Sequence, residues 1–290
     1  MEILQKIVPV AMLVFVLSSM LAMGLGLTLA QVIAPLRNVR LVSMSLLANF
    51  VLMPLTAFGL GKLLRLDEPL AVGLLLLGTA AGAPFLPKLA QIAKGNLAFA
   101  VGLMVLLMVI TVGYLPLVLP VFLPGVSVNP AKIARSLCLL MLLPLAVALV
   151  VKAKVPAFAG RAKPPLDKTS SLSLIVLILL LCIVNFSSVL SVFGTRGILS
   201  ALLFVAAGYA FGWLLGGPTQ DTRPVLGLGT AQRNIAAALV VASQSFTDPK
   251  VVVMVVVVAI VGLLILMPLS RMLSKGNRAV EKTDEIALVP

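Results

Sequence analysis

Two cations stand inside apolar sequence, and they are the residues best suited to chemistry. Lys88 follows Leu76-Leu-Gly-Thr-Ala-Ala-Gly-Ala-Pro-Phe-Leu-Pro87, and Arg233 follows Leu226-Gly-Leu-Gly-Thr-Ala-Gln232. A charge at the centre of a membrane helix costs about 2.5–3.5 kcal/mol or more, so its default reading is functional. The chemistry is recognition of an anion by a fixed cation. A desolvated lysine of lowered pKa would instead carry a proton. Each cation also has a plainer reading: Arg233 as a tie to exposed backbone carbonyls, Lys88 as a chain snorkelling toward the span end marked by Lys94.

The surroundings narrow the choice. All nine acidic residues fall in termini or loops, so neither cation has a carboxylate partner within a span. A carboxylate-based sodium site and a carboxylate proton relay both lose their ligand. The chain holds no histidine, and its two cysteines, Cys138 and Cys182, sit in apolar runs as packing residues. No metal site, no bound cofactor and no nucleophile–base pair is expected, which argues against an enzyme. Asn49, Thr79, Thr230, Gln232 and Asn234 are the polar neighbours suited to orient an anion. A single polar residue in a span more often ties helices together.

The elements that must position these residues are membrane helices. Of 290 residues 61% are hydrophobic and 11% charged, and the mean hydropathy is +1.20. A soluble core has no room for that much apolar surface, whereas a bilayer does. The net charge of +13 suits basic loops facing lipid head groups, and no basic helix with interleaved aromatics points to nucleic acid. The apolar runs predict nine spans, near 7–32, 39–63, 69–92, 95–123, 131–153, 169–190, 195–218, 222–246 and 249–274. The basic stretch Lys152–Lys168 is expected as the longest connection, and 277–290 as a disordered cytoplasmic tail.

Nine crossings place the termini on opposite sides. Lys6, Lys62, Arg65, Lys132, Arg135, Arg196 and Lys250 fall on the N-terminal side. Thirteen fall on the other: Arg37, Arg40, Lys94, Lys152, Lys154, Arg161, Lys163, Lys168, Arg223, Arg271, Lys275, Arg278 and Lys282. The excess of positive charge marks the C-terminal side as cytoplasmic and the N-terminus as outside, in a multi-pass protein of the cell (inner) membrane.

Two spans are interrupted. In the third, Pro84 and Pro87 remove backbone donors and Gly78 and Gly82 weaken the helix; in the eighth, Gly227 and Gly229 precede three polar residues. Leu77-Gly-Thr-Ala80 recurs as Leu228-Gly-Thr-Ala231, and the two copies lie an odd number of crossings apart, hence in opposite senses. That arrangement predicts an inverted repeat, 1–127 with spans one to four and 128–276 with spans five to nine, whose discontinuous helices cross at the midplane. Unwound backbone is tolerated there when buried in protein or lining a watery cavity, and half-helix N-termini favour anions. Gly208, Gly212 and Gly216 form a small-residue stripe for close helix packing.

Four stretches resemble the bile acid:sodium symporters: Met23-Gly-Leu-Gly-Leu-Thr-Leu29, Leu89 to Asn96, Gly208-Tyr-Ala-Phe-Gly212, and Arg233-Asn-Ile-Ala-Ala-Ala-Leu239. The resemblance covers about residues 20–275. It implies a panel domain of spans one, five and six and a core domain of spans two, three, four, seven, eight and nine. It also exposes departures. The family's sodium-binding glutamate falls near Gly227, its Ser-Asn pair on Leu86 and Pro87, a glutamine on Asn49, and hydroxyl ligands on apolar residues around Leu106 to Val109.

Together these features predict an all-α integral membrane protein that moves a small organic anion by alternating access. Arg233 would pair with the anion, and Lys88 would assist or titrate. Sodium coupling is not expected and proton coupling stays open, with the anion and the lipid bilayer as the only partners. The alternatives are a sodium-coupled, bile-acid-like symporter, a permease of the auxin-efflux or arsenite type, and a membrane sensor that transports nothing.

Overall fold

The computed structural model describes residues 2–28, 30, 33, 37–123, 129–184, 186–193, 195–219 and 221–287. In chain order its helices are α1 (Glu2–Gly26), α2 (Val39–Leu47), a π-helical turn (Ala48–Leu52), α3 (Met53–Leu63), α4 (Glu68–Thr79), α5 (Leu86–Ile92) and α6 (Leu97–Phe122). There follow α7 (Pro130–Leu137), a second π turn (Cys138–Leu142), α8 (Leu143–Lys154), α9 (Pro156–Val184) and α10 (Phe186–Phe193). The last four are α11 (Gly197–Leu215), α12 (Thr222–Ala231), α13 (Ile235–Ser245) and α14 (Pro249–Ala287). No strand occurs among the described residues. Even Val251 to Val258, valine at seven of eight positions and strand-like by propensity, is helical within α14. A single segment in hydrocarbon closes its hydrogen bonds only by coiling on itself.

Among the described residues eight helical segments are long and apolar enough to cross a membrane. The ninth expected span, 69–92, is instead split into the 12 residues of α4 and the 7 of α5. Both π turns have a local cause. Pro54 and Pro144 lack the N–H that would reach the carbonyls of Phe50 and Leu140, and the helix widens in the turn before each proline.

Two expectations are corrected. The stretch Lys152–Lys168 is helical except at Val155: Pro156 starts α9, and Lys163 pairs with Asp167 one turn on. The segment 277–290 continues α14 as far as Ala287, through residues rich in good helix formers. The expected repeat boundary at 127/128 lies outside the described residues.

The helices sort by what they pack against. α1 lies between α8 and α9, so close that a Cβ on Gly24 would stand 2.6 Å from that of Ala148. The remaining spans wrap α4 and the pair α12–α13. In the most apolar window of Thr222–Ser245 every residue is buried, against 11% in Pro156–Val184. The interrupted span therefore sits where protein can satisfy its free backbone groups, and α9 supplies lipid-facing surface. The glycine stripe on α11 allows this: a Cβ at Gly208, Gly212 or Gly216 would stand 2.9, 2.6 or 2.6 Å from backbone carbon of Ala231, Leu226 or Arg223.

Loops meet in two sets. Lys250 pairs with Asp67, Arg196 donates to the Leu64 carbonyl, and Lys132 to that of Gln244. At the other end Asn96 holds Asp221 through both side chain and backbone. We call these the N-terminal side and the C-terminal side.

Candidate functional site

The two broken helices meet back to back. α4 ends at Thr79 and α12 at Ala231, and their last carbonyls have no helical donor. The chain between α4 and α5 is extended at Ala80 and turns at Gly82, whose φ of +79° suits glycine and whose Cβ would stand 2.6 Å from Met108 Cα. Between α12 and α13 only Gln232, Arg233 and Asn234 leave the helix. The Asn234 N–H donates to the Ala80 carbonyl at 3.0 Å, joining one break to the other.

Arg233 holds the crossing together. Its side chain is buried, 3% exposed, and all five guanidinium N–H groups are used. Nε donates to Leu77 O at 2.8 Å, Nη1 to Asn49 Oδ1 at 2.6 Å and Thr230 O at 3.2 Å, and Nη2 to Gly78 O at 2.8 Å and Asn49 O at 3.3 Å. The acceptors are the C-terminal carbonyls of both half-helices and the π turn of the second span. A cation there also faces the negative ends of two helix dipoles. Of the two readings the sequence leaves open, the geometry matches the tie to backbone carbonyls. An anion would meet the charge of Arg233 but no free N–H.

Asn49 completes the clamp. Its Nδ2 donates to Ser45 O at 3.0 Å and to Thr230 Oγ1 at 3.2 Å, so both polar atoms of its amide are occupied. The Thr79 hydroxyl instead bonds back to Leu75 O and Leu76 O of its own helix. Asn234 caps α13 through Oδ1 to the Ala237 N–H at 3.1 Å, and its Nδ2 is buried with no partner among the described residues. Gln232 is 4% exposed and shares with Arg233, Leu77, Val258 and Gly262 a cavity of about 10 Å³, room for one water.

Lys88 is elsewhere. Leu86, Leu89 and Ala90 turn one face of α5 into the core, and Lys88 projects from the other, exposed. Lys88 therefore lies outside the cluster of acceptors that encloses Arg233. The hinge residues divide as well. Gly82 and Pro84 lie in the first break, Gly78 in the last turn of α4 and Pro87 in the first turn of α5. Gly227 and Gly229 lie within regular α12, where they admit the Tyr209 ring and the Leu86 side chain; the second break falls three residues later.

Two supports escape a reading of the sequence as a source of site residues. The Thr111 hydroxyl takes the Ala81 N–H at 3.0 Å and gives to the Ala81 carbonyl at 3.1 Å, replacing both helical bonds of one unwound residue. The Tyr114 hydroxyl donates to the Phe50 carbonyl, the group that Pro54 leaves without a donor. Pro54 was the available signal, since a proline predicts an orphan carbonyl four residues earlier. Nothing in the sequence marks Tyr114 as its partner.

Comparison with known proteins gives a consistent set of relatives. The profile of the Sodium Bile acid symporter family matches residues 11–193. The probable sodium/metabolite cotransporter BASS2, chloroplastic, of rice is 29% identical over 242 residues, 81% of this chain and 57% of that protein. The human hepatic sodium/bile acid cotransporter is 28% identical over 160 residues, 53% of this chain and 45% of its own length. The sodium-dependent transporter YocS of Bacillus subtilis is 30% identical over 134 residues, 46% of this chain and 42% of its own. The chain thus spans less than two thirds of the length of each of these relatives.

Proposed function

The chain belongs to the sodium bile acid symporter family, and from that premise we propose that it carries a small organic anion across the cell membrane by alternating access, with Arg233 standing where a sodium-coupled carrier would hold the ion. In transporters built on broken helices, unwound carbonyls and half-helix C-termini coordinate the coupling cation. Here the five acceptors at that place all take N–H groups of one guanidinium. This observation carries the proposal. A cation fixed by covalent bonds does not exchange with solvent, so the crossing is assembled without sodium.

The anion would be received on the opposite flank. The N-terminus of α13 brings partial positive charge, the Asn234 Nδ2, unpartnered among the described residues, lies beside it, and Gln232 lines the adjoining cavity. Arg233 adds long-range potential and Thr230 steadies Asn49. The N-terminus would face outward and the C-terminal side the cytoplasm.

Thermal melting of the purified protein against organic anions, in sodium and in potassium salts, tests the proposal. Binding raises Tm by mass action. A stabilising anion equally effective in both salts supports it; an anion effective only with sodium overturns it. The names of the relatives, two sodium cotransporters and a sodium-dependent transporter, favour the sodium-coupled reading. Anion uptake driven by an imposed sodium gradient would establish that reading instead.

A further inference from the structure

Arg233 is the only charged residue among the buried side chains of the described residues. An arginine does not lose its proton in a protein, and no acidic group faces it: its contacts are the carbonyls of α4 and α12 and the amide of Asn49. Five hydrogen bonds also prevent the guanidinium from swinging. The charge therefore keeps a fixed place within the helices that form the crossing.

The conformation has a direction. On the N-terminal side α1 and α7 meet α13, where Ser243 bonds Met12 and Gln244 accepts from Ser136, and α9 meets α14. A pocket of about 140 Å³ lies within that seam, walled by Val8, Met12, Leu177, Leu239, Phe246 and Val252. On the C-terminal side neither α5 nor α12 makes a comparable contact with α8 or α9 among the described residues. Among the described residues the second broken span is thus held to α1 and α7 on the N-terminal side and has no comparable contact with α8 or α9 on the other.

We propose that the empty carrier is voltage-sensitive through Arg233: one positive charge shifts through part of the field when the opening changes sides, so a potential negative on the C-terminal side holds the seam at Leu239 shut. The inference rests on the alternating-access reading above and adds the charge that the field acts upon. A bound monoanion cancels this charge, so the field acts mainly on the return of the empty carrier. One charge crossing the whole field shifts the equilibrium by about 50-fold per 100 mV, and a partial crossing by less.

The test needs no substrate. Cys138 and Cys182 are replaced by alanine and a Leu239→Cys reporter is added; Leu239 is 2% exposed in this conformation. Proteoliposomes holding only inorganic salts are set to defined potentials with potassium and valinomycin. A membrane-impermeant maleimide is then added on the N-terminal side. Labelling should slow several-fold when the C-terminal side is made about 100 mV negative and quicken when it is made positive. Two further variants locate the charge: Arg233→Lys retains it, whereas Asn49→Asp sets a carboxylate against the guanidinium and should flatten the dependence. Labelling indifferent to potential overturns the proposal, as does an Asn49→Asp protein with undiminished response. A failure to find any transported anion would leave this result standing, and flat labelling would leave the transport reading standing.

Discussion

If Arg233 is the cation of the crossing, replacing it with alanine should convert a sodium-indifferent protein into a sodium-sensitive one. The substitution removes five donors placed 2.6–3.3 Å from their acceptors. Leu77 O keeps a second donor in the Ala80 N–H at 3.2 Å, while Gly78 O, Thr230 O and both oxygens of Asn49 lose this one. Leaving buried acceptors without this donor costs about 1–3 kcal/mol each, offset in part because a charge is no longer buried, so about 3–5 kcal/mol in all. At about 2–4 °C per kcal/mol, Tm should fall by roughly 10 °C. The vacated space is lined by five oxygens, a donor set that suits a bare sodium ion. Sodium at a hundred times its Kd would return about 2.7 kcal/mol, restoring part of the loss. The assay is thermal melting of both proteins in sodium, potassium and choline chloride. The wild type should melt alike in all three, and Arg233→Ala should recover in sodium alone. A wild-type Tm that rises specifically with sodium, or an alanine variant as stable as the wild type, would refute the reasoning.

Three further outcomes are expected. Tyr114→Phe should cost about 1–2 kcal/mol by orphaning the Phe50 carbonyl, and less in a Pro54→Ala background that restores the backbone donor, as a double-mutant melting cycle would reveal. Gly212→Ala should destabilise by about 1–3 kcal/mol, since its Cβ would meet Leu226 backbone at 2.6 Å, whereas Gly59→Ala, with nothing within 4 Å, should be neutral or stabilising in the same melt. The Asp221 carboxyl is pushed up by partial burial, but hydrogen bonds from Asn96, Thr219 and backbone N–H groups outweigh this and hold it below its ordinary 3.8. Its share of stability is therefore present above that value and is lost as pH falls through the depressed one. Hydrogen exchange around Asn96 should quicken on acidification below about pH 4, and Asp221→Asn should remove the step.

Much of this protein was legible in its sequence because the bilayer leaves so few choices. A long apolar run must be a helix, even one as rich in valine as Val251 to Val258. Proline and glycine mark interruptions wherever they fall, so the first break was found from Pro84 and Gly82. The Gly208–Gly216 stripe announced close packing because a missing side chain acts locally. Only the tertiary structure decided where the two cations stand and what surrounds them. Lys88 and Arg233 look alike in sequence, each just beyond a weakened helix, yet one turns outward from a seven-residue half-helix and the other is enclosed by acceptors up to 184 residues away. The second break lies at Gln232–Asn234 rather than at Gly227 and Gly229, since those glycines serve neighbours that only the fold brings near. Composition and periodicity are properties of one segment and survive without its neighbours. The partner of an orphan carbonyl is a property of two segments, and it exists only once both broken helices have been brought to the same place.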